Sequence, residues 1–251
     1  MKSFIQKLRT PKTTHGTQSG KKKWWRSKVL WISAVVIVAL VVGGFFVFNN
    51  AQKDNLYARA LANVSEARHF MRSASTDSLE VQFFSGTREE PFSQNGVTGK
   101  PVPFAIINVD SRDGTLKGLN QIEGTVRIGE EQLPIMLTRN PYDPQNFATD
   151  IGKLVEANRA VEVTLFITST NHPTFKLELA FDADAITWKQ ALRIATEKTG
   201  SKLNAARSFE VYVKIINNVA KDSGAFWYVQ FITDDGKTYF CVIAPDGSTI
   251  C

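Results

Sequence analysis

Apolar and polar residues alternate with a period of two along most of this chain from Leu79 onward, and Gly, Pro, Asn and Asp clusters separate the alternating runs. That texture predicts β-strands joined by turns. The strand candidates are LEVQFF (79–84), PFAIINVD (103–110), EGTVRI (123–128), QLPIMLT (132–138), AVEVTLFIT (160–168) and TFKLELAF (174–181). Val161, Val163, Leu165 and Ile167 on one arm and Phe175, Leu177 and Leu179 on the other predict a hairpin turned at 169–173, with one buried face. One helix is expected among these strands, at Thr149–Asn158, with Thr149 as N-cap and Asp150 in the first turn.

Two earlier segments follow a different pattern. Val29–Phe48 contains no charged residue, and a helix of that length, rising about 1.5 Å per residue, spans the ~30 Å core of a bilayer. It predicts a transmembrane helix. Signal-peptide apolar regions are shorter, about 7–15 residues, and end in a small-x-small site. This run ends in GGFFVF, so an uncleaved signal anchor is expected. Beyond it, Tyr57, Ala60, Leu61, Val64, Ala67 and Met71 recur at helical spacing and predict a helical stalk.

The last seventy residues carry more local signals. Thr187 with Gln190 forms a capping-box pattern, and Ile186 is placed to staple onto the helix that follows. Trp188, Ala191, Leu192 and Ala195 form its buried stripe, and Gly200 suits the C′ position. Three strands follow, FEVYVKII, FWYVQFIT and TYFCVIA, and then a terminal STIC. In the turns Thr233–Lys237 and Ala244–Ser248, Asp-Gly falls where a three-residue hairpin loop ends in a left-handed residue. Counting outward from them opposes Phe231 to Tyr239, Val229 to Cys241, Trp227 to Ile243, and Cys241 to Cys251.

The predicted fold class is α+β. Its segments are a basic tail (1–28), a transmembrane helix (29–48), a helical stalk (49–78), a β-rich or α+β domain (79–183) and a helix-plus-meander domain (184–251). Charge then orients the chain. The first 28 residues hold nine Lys and Arg and no acid, so a total of +6 leaves −3 for the remainder. The positive-inside rule predicts a cytoplasmic N-terminus and an extracytoplasmic C-terminus in a cell membrane, with Trp24, Trp25 and Trp31 at the headgroup level. The acidic balance of the remainder argues against a nucleic-acid partner. Placed outside the cell, Cys241 and Cys251 are in reach of a disulfide.

Candidate chemistry is sparse. Beyond the apolar run only His69 and His172 are available, without HExxH or paired CxxC spacing, so no metal, cofactor or catalytic residue is expected. The pairs Glu89/Glu90, Glu130/Glu131, Asp182/Asp184 and Asp234/Asp235 fall in or beside predicted turns or helix starts, where solvation and backbone capping account for them.

The helix AITWKQALRIATEKTG with FWYVQFITDDGKTYFCVIAPDGSTI resembles a PepSY domain, through Trp227, Tyr228, Val229, Phe231, Asp235, Gly236 and Tyr239 in that order. The final turn is shorter than in that family, and Cys241 sits on the central strand. The resemblance covers about the last sixty-five residues and implies a non-catalytic binding or inhibitory module outside the cytoplasm. The expected function is a membrane-anchored binding or regulatory module for a protein, peptide or envelope partner, with membrane lipid contacted by the helix and basic tail. The alternative is a structural inner-membrane component of a secretion or conjugation complex, which would form stable oligomers. An envelope hydrolase would need a polar cleft.

Overall fold

The computed structural model describes residues 51–90, 98–168, 171–217 and 224–251, and Gln52–Cys251 form one compact unit. Helical residues 51–62 (α1) lead into β1 (Val64–Ser75), β2 (Leu79–Glu90), β3 (Lys100–Ser111), β4 (Gln121–Ile128), β5 (Glu131–Arg139), β6 (Asn146–Asp150), β7 (Val161–Phe166) and β8 (Thr174–Leu179). There follow α2 (Trp188–Leu203), β9 (Phe209–Asn217), β10 (Ala225–Thr233), β11 (Thr238–Ile243) and β12 (Thr249–Ile250). The strands form one sheet in the order β12-β11-β10-β9-β1-β2-β3-β6-β5-β4-β7-β8, and β8 returns to β1. Eight strands thus close into a barrel, and β9–β12 extend from its first strand.

Alternation builds the barrel. Val81, Phe83, Ile107, Val109, Leu137 and Phe147 are fully buried inside it. Their neighbours Glu80, Gln82, Asn108 and Asp110 therefore point outward, as the period of two requires. A second core lies between α1, α2 and the inner face of β9–β11, and includes Leu56, Leu192, Leu203, Trp227, Phe231 and Cys241.

β1 joins the two parts. It pairs with β2 along most of its length. On its other side it runs parallel to β9 as far as Ala67↔Val213, then meets β8 antiparallel at Arg72↔Leu179 and Ser73↔Glu178. The change of neighbour coincides with an irregularity between Arg68 and Phe70. A residue inserted into a ladder bends the strand and increases its twist. Opposite this bend is Gly86, paired with Arg68, where an added Cβ would come within 1.8 Å of the Ala67 carbonyl oxygen. Only glycine permits that approach.

This geometry corrects the stalk. Val64–Ser75 is a strand, not the outer half of a helix spanning 49–78. The bulge puts Ala67 and Met71 in one core and Phe70 in the other. A bent strand buried on both sides imitates the three- and four-residue spacing of a helical stripe. The α+β expectation with an N-terminal membrane helix and stalk is replaced by a mostly β fold with two helices among the described residues.

The membrane expectation changes too. The run Val29–Phe48 lies outside the described residues. Among the described residues no helix is long and apolar enough to cross a membrane; α2 has 16 residues and carries Lys189, Arg193, Glu197, Lys198 and Lys202. The structure does not support the single-pass placement with an extracytoplasmic C-terminus, which is set aside.

Two local expectations also differ. Asn146–Asp150 is strand β6, and no helix occupies 151–158. Asp150 caps a bend instead of a helix, accepting from Gly152 N at 2.8 Å and Ala105 N at 3.1 Å while pairing with Arg88 at 2.7 Å. Gly200 lies inside α2, which runs on to Leu203 with Asn204 as C-cap. A Cβ at Gly200 would stand 3.3 Å from Leu56 Cδ2, so the missing side chain admits α1.

The C-terminal register is as expected from the turns. Phe231 opposes Tyr239, Val229 opposes Cys241, and Trp227 opposes Ile243. Gly236 and Gly247 take positive φ, and Thr187 with Gln190 closes the capping box. Cys241 and Cys251 form a disulfide.

Candidate binding groove

Where β1 exchanges β9 for β8, the outer wall of the barrel and the end of the β9–β10 hairpin enclose an open groove of about 1580 Å³. Its floor carries outward-facing polar side chains from neighbouring strands: Ser73 on β1, Glu80 and Gln82 on β2, Asp110 on β3, Lys176 and Glu178 on β8. Its apolar side is built from Met71, Leu179, Ala180, Ile215 and Ile216. Leu179 and Ile216 are exposed.

The floor carries two hydrogen-bonded clusters. Asn146 Nδ2 donates to Asp110 Oδ1 at 2.6 Å and to Asn108 Oδ1 at 2.7 Å, and Asn108 Nδ2 donates to Asp110 Oδ2 at 3.0 Å. Gln82 donates to Glu80 at 2.9 Å, and Arg112 pairs with Glu80 at 2.6 Å. Burial raises the Asp110 carboxyl above its ordinary value, and the charges of Glu80 and Asp143 push the same way against the two asparagine bonds. Donors and acceptors fixed on neighbouring strands give the groove a polar surface with defined hydrogen-bonding positions.

Along one side the sheet is incomplete. Beyond Val213 β9 has no further pairing with β1, although β10 continues to pair with it through Asn217. The Ile215 carbonyl is approached by Arg68 Nη1 at 3.5 Å, at the long limit for a hydrogen bond. The Arg68 guanidinium also pairs with Glu66 at 3.1 Å and lies 4.0 Å over the Phe84 ring.

The residues singled out from sequence are dispersed. His69 sits at the β1 bend, stacked on Trp188 with ring centroids 5.2 Å apart, and its buried Nε2 has no hydrogen-bond partner. Burial first, and then Lys189, lower its pKa. His172 lies against Phe166. Asp235 serves its turn, held at about 2 by hydrogen bonds from Lys237 and then Thr233. Glu131 pairs with Lys153, and Asp182 and Asp184 are exposed. Glu89 departs from the solvated-turn expectation: it is buried and accepts from Gly99 N. No group of three or more His, Cys, Asp or Glu able to hold a metal ion occurs among the described residues.

Glu210 and Tyr212 carried no signal in the sequence, because strict alternation assigns them to an exposed face. Both are fully buried beside Ser65, whose Oγ lies 3.3 Å from Glu210 Oε2. Burial, and then Glu210, raise the Tyr212 phenol. The groove was equally hidden, since its lining runs from Arg68 to Ala225.

Comparison with protein-family models, with curated proteins and with solved structures found no match to this chain.

Proposed function

We propose that this protein is a non-catalytic binding module whose groove receives an extended polypeptide segment. The observation that carries the reading is the combination, in one groove, of a polar floor, an apolar side and a sheet edge that has lost its strand neighbour. At about 1580 Å³ the groove exceeds the ~300–1,000 Å³ of typical small-molecule pockets and is open along its length. An added strand supplies main-chain hydrogen bonds to a free edge, and its alternating side chains face pockets on either side. The floor holds Asp77, Glu80, Asp110 and Glu178 against Lys176 and Arg112, with Arg68 already engaged by Glu66. That balance favours a segment carrying amide or basic side chains over nucleic acid, whose binding is dominated by cationic contacts to phosphate. The resemblance of the sequence over about its last sixty-five residues to a PepSY domain favours the same non-catalytic role.

The test uses the full chain against a random-sequence peptide display library. Selected peptides are expected to bind about ten-fold more weakly, ~1.4 kcal/mol, to the groove-filling variant Gln82→Trp and to Ile216→Asp. They should bind unchanged to Met136→Gln, which alters an exposed side chain away from the groove lining. Peptides indifferent to both groove variants, or a library that yields none, would overturn the reading.

A further inference from the structure

We propose that the Cys241–Cys251 disulfide latches β12 over a self-adhesive sheet edge, and that its reduction lets β11 pair with β11 of a second copy of this chain. The inference is independent of the groove.

β11 is paired with β10 over six residues but with β12 over only two, Val242↔Ile250 and Ile243↔Thr249. Exposed edges are ordinarily protected by charge, proline, glycine bulges or a covering element. The β11 sequence, TYFCVI, has none of the first three. Only the covering element is left, and it is slight: two paired residues, with Ile250 78% exposed. The disulfide holds it in place by joining exposed Cys251 to Cys241, itself fully buried in the second core.

A second copy fits the uncovered edge. Antiparallel pairing of two β11 strands about Phe240 places Phe240 against Phe240, Thr238 against Val242 and Tyr239 against Cys241. Because 238, 240 and 242 share a face, this register keeps like faces together, as continuation of a sheet requires. No charge meets a like charge in it. Phe240 is 53% exposed and stacks on Tyr228 at 5.7 Å, so the paired strands would join two aromatic patches into one row across the outer face. Cross-strand aromatic pairs of this kind are favourable.

The chemical step is two-electron thiol–disulfide exchange. A dithiol reductant supplies the electrons, the S–S bond breaks, each sulfur takes a proton, and the reductant leaves as its own disulfide.

Light scattering coupled to size exclusion, with hydrogen exchange, tests this on the full chain. Dithiothreitol, or the substitution Cys251→Ser that spares the buried cysteine, is expected to double the mass of the oxidised protein. It should also slow exchange of the Thr238 and Phe240 amides, which point away from β10 in the β10–β11 register. Adding Phe240→Lys to Cys251→Ser should restore the oxidised mass, which separates edge pairing from aggregation of unfolded chains. A reduced protein that keeps its oxidised mass, or a mass increase that survives Phe240→Lys, would overturn the proposal.

Discussion

Replacing Gly86 with alanine tests how β1 is bent between barrel and meander. The new methyl would lie 1.8 Å from the Ala67 carbonyl oxygen and 2.9 Å from its carbon, where real Cβ contacts do not fall below 3.0 Å. The obstacle is backbone, so no side chain can rotate away, and β1 must retreat by more than an ångström at a fully buried residue. Overpacking of this kind costs about 1–3 kcal/mol. Separating β1 from Gly86 also strains the Ala67↔Thr87 and Ala67↔Val213 pairings, at ~1–3 kcal/mol for each buried backbone group left unsatisfied. The gain from a less flexible unfolded chain, about 0.4–1 kcal/mol, offsets little of this. The expected loss is therefore roughly 3–6 kcal/mol, a large part of the ~5–15 kcal/mol that holds a typical protein folded. Urea denaturation of the full chain, followed by tryptophan fluorescence, would show it as a lower midpoint at similar slope. Gly114→Ala is the internal reference, because Gly114 has φ +80° but nothing within 4 Å, so only the left-handed backbone is strained, at ~1–2 kcal/mol. A Gly86→Ala protein as stable as the Gly114→Ala protein would refute the close-approach argument.

Substitutions at two further residues, His69 and Trp227, give separate tests. His69 has a pKa below its ordinary 6.5 because it is buried, so the unfolded chain takes up the proton first. Its contribution is complete above pH 6.5 and is lost as the pH falls through that value toward the lowered one. His69→Phe keeps a ring on Trp188 and should flatten this acid-side decline in denaturation midpoints; an unchanged decline would place the titration elsewhere. Trp227 is 1% exposed and donates from Nε1 to the Ile186 carbonyl at 3.0 Å. Trp227→Ala should cost about 3–5 kcal/mol, whereas Trp227→Phe should cost only about 1–2 kcal/mol for the lost bond and volume; similar losses from the two would mean that packing contributes little there.

Strands β2–β5 and β7–β11 were legible because one face of each is buried, so period-two alternation survives in the sequence. The turns at Asp235-Gly236 and Asp246-Gly247 fixed the C-terminal register, including the cysteine pair, from local conformational rules. β1 was misread for a definite reason: its bulge splits Ala67 and Met71 from Phe70 between two cores and creates a helical spacing. Thr149-Asp150 was misread because the same side chain that caps a helix also caps a bend. Barrel closure rests on β1–β8 and β3–β6 pairings between distant segments, and no local pattern encodes them. The groove and the buried Glu210 arise from that closure, which explains why neither had a signal of its own.

The parallel pairing of β1 with β9 ties segments 147 residues apart, as the contact of Arg68 with the Ile215 carbonyl illustrates. On the ribosome β1 emerges early, yet one side of it finds its neighbour β9 only after all eight barrel strands and α2 have been synthesised. At roughly 5–20 residues per second that wait lasts many seconds. During that interval the nascent chain presents a strand with an unfilled side. Efficient production of this protein should therefore depend on whatever shields β1 until β9 arrives, and chains halted before Phe209 should be bound by strand-capturing chaperones in preference to completed ones.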